Sequence, residues 1–189
     1  MYNFKITIEY DGTNYVGWQK QDNGLSIQGC IENAILKLTG EIVILFGAGR
    51  TDSGVHALGQ VANFTLKKEF KTDKIRDGLN QHLRPHKIAI LDAALVNENF
   101  HARFSAIQRS YKYIITNRRA PLTLNKNKSW AVFKKLDITK MKFESKFFIG
   151  KNNLESFRSI QCQSKSAIKT IDSINIKKND DHIVINVCA

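Results

Sequence analysis

Glycines at positions 47, 49 and 54 separate two apolar runs, and this interruption constrains the fold more than any other feature of the chain. The run Ile42 to Phe46 leads into the loop, and the alternating run Gln60 to Leu66 leads out of it. The pattern predicts strand, glycine-rich loop, strand. Inside the loop stand Arg50, Thr51 and Asp52. Glycines let a backbone turn tightly, so such a loop holds a carboxylate on rigid chain while keeping it within reach. Asp52 is the candidate for chemistry.

The flanking sequence places this loop in a mixed fold. Phe4, Ile6, Ile8 and Tyr10 alternate with Lys5, Thr7 and Glu9, the period of a half-buried strand, and Asp11-Gly12 reads as a turn. Ser26 suits an N-cap, Ile27 to Leu38 repeats at helical spacing, and Gly40 suits the helix end. Thr72 to Leu83 reads as a second helix and Lys87 to Val96 as a strand. After Phe104 a similar order returns: a strand over Ser110 to Thr116, then a helix capped by Asp137 and stopped by Gly150. Strands follow over Ile168 to Ile176 and His182 to Val187, joined at Asn179-Asp180-Asp181. The expected class is α+β, two related ferredoxin/RRM-like halves sharing a largely antiparallel sheet. Residues 1–104 are expected to form the first lobe with the Asp52 loop, and 105–189 a second, truncated lobe.

Basic residues number 29 against 17 acidic, a net charge of +12. Phosphate neutralisation makes nucleic acid the first partner to consider. No apolar run approaches the roughly 18 residues of a membrane span, and the alternating N-terminus lacks the apolar block of a signal peptide. Cys30, Cys162 and Cys188 show no paired spacing, which points to a reducing cytoplasm with neither disulfides nor a zinc site.

Other chemistries fit the loop less well. A dinucleotide fingerprint needs Gly-x-Gly-x-x-Gly opening a helix, and a P-loop needs Gly-Lys-Ser/Thr; neither occurs. Asp52-Ser53-Gly54 matches half of an aspartic protease site, but no second copy supplies the partner carboxylate. Asp52 as a mere loop organiser stays open at this level. The histidines His56, His82, His86, His101 and His182 form no ligand pattern. Tyr111 and Tyr113, beside Arg109 and Lys112, suit either base stacking or core filling.

Taken together, these residues resemble the tRNA pseudouridine synthase A family. The matching blocks are Glu9 to Gln21, Ser26-Ile-Gln28, Phe46 to Phe64, Phe100 to Ala106, Arg109-Ser-Tyr-Lys-Tyr113, and Ser156-Phe-Arg158 through Gln161-Cys-Gln-Ser164. The block Gly49-Arg-Thr-Asp-Ser-Gly-Val-His56 is the most specific of them. The resemblance implies a homodimer that isomerises uridine to pseudouridine in the anticodon stem-loop of tRNA. It implies Asp52 as the catalytic carboxylate, Arg50 as the arginine that assists the flipped nucleotide, and Tyr111 as the ring that stacks on uracil. It implies no cofactor, no metal and no membrane.

Two departures stand out. The family continues past the position of Ala189 into a Met-Val-Arg-like motif whose arginine pairs with the catalytic aspartate. Lys151-Asn-Asn-Leu154 replaces a His-Asp-Phe-like stretch. Lacking that arginine, the chain is expected to be either an active synthase or a truncated remnant that binds tRNA without turning it over.

Overall fold

Alternation makes Tyr2–Tyr10 a strand, β1, with Phe4, Ile6, Ile8 and Tyr10 buried on one face. In this computed structural model, which describes residues 1–158 and 166–189, β1 is the centre of the first of two units, Met1–Ala106 and Ile107–Ala189. Asp11 caps a short 3-10 turn, Gly12–Asn14. Helix α1, Ile27–Thr39, starts at Ser26, whose hydroxyl accepts the Gly29 N–H, and ends at a left-handed Gly40. Then come β2, Phe46–Gly47; β3, Ala57–Leu66; α2, Thr72–His82; and β4, Ile88–Val96.

The strands of this unit are ordered β2-β3-β1-β4, and every neighbouring pair is antiparallel. The register sets Phe4 opposite Phe64 and Ile6 opposite Ala62. Ile31 and Ile35 of α1, with Ile75 and Leu79 of α2, enter the same core. Burying each such side chain stabilises the fold by about 1.5–3 kcal/mol.

The apolar run Ile42 to Phe46 is not the strand its composition predicts. Only Phe46 and Gly47 pair, and Ile42 and Ile44 lie exposed. The cause lies in α1. Glu32 Oε1 accepts the Leu45 N–H at 3.1 Å, and the Gln28 amide donates to the Leu45 carbonyl at 3.1 Å. Helix side chains therefore satisfy backbone groups that a ladder would use, and only Leu45 of the three turns fully inward.

The second unit holds β5, Ser110–Thr116; β6, Trp130–Ala131; helix α3, Ile138–Ser145; β7, Gly150–Asn153; β8, Ile168–Ile171; β9, Ser173–Asn179; and β10, His182–Cys188. Four strands are ordered β6-β5-β10-β9, and β7 pairs with β8. The expected single strand Ile168 to Ile176 is thus two, because β8 pairs with β7 whereas β9 pairs with β10. Asp172 marks the break, its N–H donating to the Cys188 carbonyl at 2.8 Å. Its core of buried residues is Ile115, Ile176 and Ile183, with Ile138 and Met141 of α3 packed partly against it. Gln161 to Ser164, including Cys162, lie outside the described residues.

Candidate active site

The loop between β2 and β3 is anchored almost residue by residue. The Ala48 N–H donates to the Val61 carbonyl at 2.8 Å, and the Gln60 amide donates to the Gly49 carbonyl. The Trp18 N–H donates to the Thr51 carbonyl at 3.0 Å, and the Tyr10 and Thr51 hydroxyls share a hydrogen bond of 2.8 Å. The Ser53 hydroxyl donates to the Tyr15 carbonyl at 3.0 Å, and the Val55 N–H closes a turn on the Asp52 carbonyl at 3.2 Å. A register shift between Ile8 and Tyr10, opposite the start of β3, adjoins the loop, where bulges often re-aim a strand.

Two glycines let the segment after β1 press against this loop. A Cβ on Gly12 would lie 2.0 Å from the Val55 carbonyl oxygen. A Cβ on Gly17, at φ +116°, would lie 2.6 Å from the Thr51 carbonyl oxygen. No side chain fits either position without moving backbone. Against this support Thr51 is half-buried, while Arg50 and Asp52 on either side of it are exposed. Among the described residues, no ion pair or hydrogen bond engages the Asp52 carboxylate. The loop therefore presents an accessible carboxylate, flanked in sequence by a guanidinium, on backbone that cannot easily shift.

The base of the loop is tied by a second carboxylate. Asp11 Oδ1 accepts the Thr13 hydroxyl at 2.6 Å and the Thr13 N–H at 3.1 Å. It also lies 3.1 Å from His56 Nδ1, and Asp11 Oδ2 lies 3.6 Å from Lys87 Nζ. The Thr13 hydroxyl is the main reason the Asp11 carboxyl is lowered to about 2; the Thr13 N–H, His56 and Lys87 lower it further, and partial burial opposes them. The Gly12 N–H lies 3.2 Å from the same His56 Nδ1, so the imidazole sits between the turn after β1 and the Asp11 carboxylate.

On the sheet face away from α1 and α2, Asn3 and Asn63 hold the segment that follows β4. The Asn3 amide donates to the Asn97 and Phe100 carbonyls, each at 2.9 Å. The Asn63 amide donates to Asn3 Oδ1 at 3.0 Å, and Asn63 Oδ1 accepts the Ala102 N–H at 2.8 Å. His101 is thereby held between Phe46 and Phe104, with ring centroids 4.8 and 4.5 Å apart.

Arg50 and Asp52 share one loop of the first unit. Tyr111 belongs to the second unit, on β5 opposite Val187, with 48% of its surface exposed. Tyr113 is exposed as well, so neither ring fills the core. Reasoning from sequence missed the support: Tyr10, Trp18, Asn3 and Asn63 carried no candidate role. The one available signal was the block Glu9 to Gln21, which stood out as a match without an assigned task.

The family model described as tRNA pseudouridine synthase matches residues 6–105, which include the second half of β1, all of α1, the Asp52 loop and its aromatic neighbours. The chain belongs to this family. The tRNA pseudouridine synthase A of Afipia carboxidovorans is 47% identical over 189 residues, all of this chain and 77% of that protein. That of Wolbachia pipientis wMel is 50% identical over 187 residues, 98% of this chain and 76% of that protein. That of Parvibaculum lavamentivorans is 48% identical over 188 residues and 76% of its length. Membership places the chain among the RNA pseudouridine synthases, which are isomerases. No helix among the described residues of this synthase is long and apolar enough to cross a membrane.

Proposed function

We propose that the chain isomerises uridine to pseudouridine in the anticodon stem-loop of tRNA, with Asp52 as the catalytic carboxylate. The observation that carries this reading is the exposed Asp52 side chain on a loop anchored at Ala48, Gly49, Thr51, Ser53 and Val55. The reaction breaks the bond from C1′ to N1, turns the base and joins C1′ to C5. An ionised carboxylate can act as nucleophile or as base at C2′. Arg50 assists the flipped nucleotide, and Tyr111 stacks on the uracil. Unstacking the uridine costs a few kcal/mol, roughly what base–aromatic stacking of about 1–3 kcal/mol returns. The net charge of +12 supplies phosphate contacts for the rest of the affinity.

This reading takes the enzyme as a cytoplasmic homodimer that needs no metal or other cofactor. It treats the units as ferredoxin/RRM-like halves, each with a four-stranded sheet of its own rather than the single shared sheet expected from sequence. The strand-helix-strand-strand-helix-strand order of the first unit and its antiparallel β2-β3-β1-β4 arrangement support that description.

The test is pseudouridine formation on an unmodified tRNA anticodon-arm transcript by the 189-residue chain and its Asp52→Asn variant. Product from the parent and none from the variant is the expected result. A variant that keeps full activity sinks the assignment of Asp52. A folded parent that binds the transcript without forming product makes the chain a binding module instead.

A further inference from the structure

The segment Glu9 to Gln21 has no part in the chemistry above, yet its residues are the ones that grip Thr51. We propose that Tyr10 is a positioning residue for Asp52, acting through the hydroxyl of Thr51; this rests on Asp52 being the catalytic carboxylate.

Tyr10 is the last inward-facing residue of β1 and is 2% exposed. Its ring lies 6.2 Å from that of Trp18, in the core of the first unit. Such a side chain is held by packing on all sides, and its hydroxyl meets Thr51 Oγ1 at 2.8 Å. Burial pushes the phenol pKa up, opposed by the Thr51 bond, so the hydroxyl keeps its proton and can donate. Thr51 is gripped a second time at its carbonyl by the Trp18 N–H at 3.0 Å. The Thr51 carbonyl and the Asp52 nitrogen share one planar peptide. Gripping both the side chain and the carbonyl of Thr51 therefore sets the plane from which the Asp52 side chain springs. Gly17, pressed against the same carbonyl oxygen, leaves that plane no room to tilt inward.

The geometry accounts for a tyrosine rather than a phenylalanine at this position. A phenyl ring would fill the same space in the core, and only the hydroxyl reaches the loop. Catalytic groups must be held within roughly 0.5 Å of their productive place, and a displacement of about 1 Å can lower turnover some 10²-fold. Losing one of the two grips on Thr51 is expected to lower kcat about tenfold or more. KM should stay within about twofold, because phosphate contacts elsewhere dominate RNA affinity.

Tyr10→Phe, Thr51→Val and the double variant are compared with Asp52→Asn in the same turnover assay. The proposal expects both single variants to lose kcat by about tenfold or more, and the double to lose no more than either, since both remove one bond. Thr51→Ser, which restores the hydroxyl, should recover most of the loss. Hydrogen exchange on the 189-residue chain reads the same bond without turnover. The Trp18 amide should exchange about tenfold faster in Tyr10→Phe while the core amides of β1 and β3 keep their rates. Unchanged exchange at Trp18 overturns the proposal, as does faster exchange accompanied by an undiminished kcat. Thr51→Val probes the same bond from the loop side should Tyr10→Phe disturb the core. An inactive Asp52→Asn beside a fully active Tyr10→Phe sinks the positioning role alone; an active Asp52→Asn sinks the catalytic assignment with it.

Discussion

At the scale of single residues, Asp11 shows how a carboxylate outside the chemistry can hold the site's frame. It joins the end of β1 to His56 at the far end of the loop and to Lys87 before β4. Its pKa is lowered to about 2 from an ordinary 3.8. A depressed carboxyl contributes stability that is fully present above its unfolded value and is lost as pH falls through its folded value. Asp11→Asn should therefore melt below the parent at neutral pH. The gap should narrow between about pH 4 and pH 2 and vanish at the lower end, in thermal melts followed by circular dichroism. A gap that holds constant down to pH 2 would show that Asp11 acts by packing alone. Asn63 offers a second test on the other face of the sheet, where its amide and carbonyl serve Asn3 and Ala102. Asn63→Leu orphans both partners, at about 1–3 kcal/mol for each buried group, measurable by urea unfolding. Asp52 stood out as a candidate in the sequence because glycines and charge cluster around it. The residues that brace it were not, because Tyr10 and Trp18 look like ordinary core side chains until the fold brings Thr51 to them.

At the scale of elements, α1 does more than cover the sheet. Its first turn carries Gln28, buried, whose carbonyl oxygen accepts the Lys20 N–H at 3.0 Å while its amide serves the Leu45 carbonyl. The helix thus ties the segment that grips Thr51 to the segment that enters the Asp52 loop. Gln28→Ala keeps a good helix former and removes both bonds, so about 2–4 kcal/mol of stability should be lost, more than helix propensity alone accounts for. Chemical denaturation of parent and variant measures it, and a change under about 0.5 kcal/mol would mean that water replaces both bonds. This helix was legible in outline from Ser26, the apolar spacing and Gly40, which act locally. The Ile42 to Phe46 run was misleading for the converse reason. Its β-branched residues favour a strand, but the backbone partners it found, Glu32 and Gln28, lie on another element. In the second unit the same limit produced one strand from sequence where β8 and β9 take different partners.

At the scale of the whole chain, the two units differ in how much they bury. The first has a continuous core from Phe4 to Ala93 built mainly by β1, β3, β4 and two helices. Among the described residues, the buried hydrophobic side chains of the second are Ile115, Ile176 and Ile183, and α3 contributes no fully buried side chain. Phe143, Phe147 and Phe157 stand exposed there, as do Trp130 and Phe133. Apolar burial is the main stabilising term in folding, so the units should open at different free energies. Native-state hydrogen exchange on the full chain should find the slowest amides in β1, β3 and β4. Those of β5, β9 and β10 should exchange at least about 100-fold faster, a difference near 2.7 kcal/mol. Binding of a tRNA anticodon arm through Tyr111 would select the closed form of the second unit and slow its exchange in proportion to ligand concentration over Kd. Equal protection in both units without RNA would mean that they unfold as one cooperative body. Slowing confined to the first unit when RNA is added would place the RNA contacts there and remove Tyr111 from the binding surface.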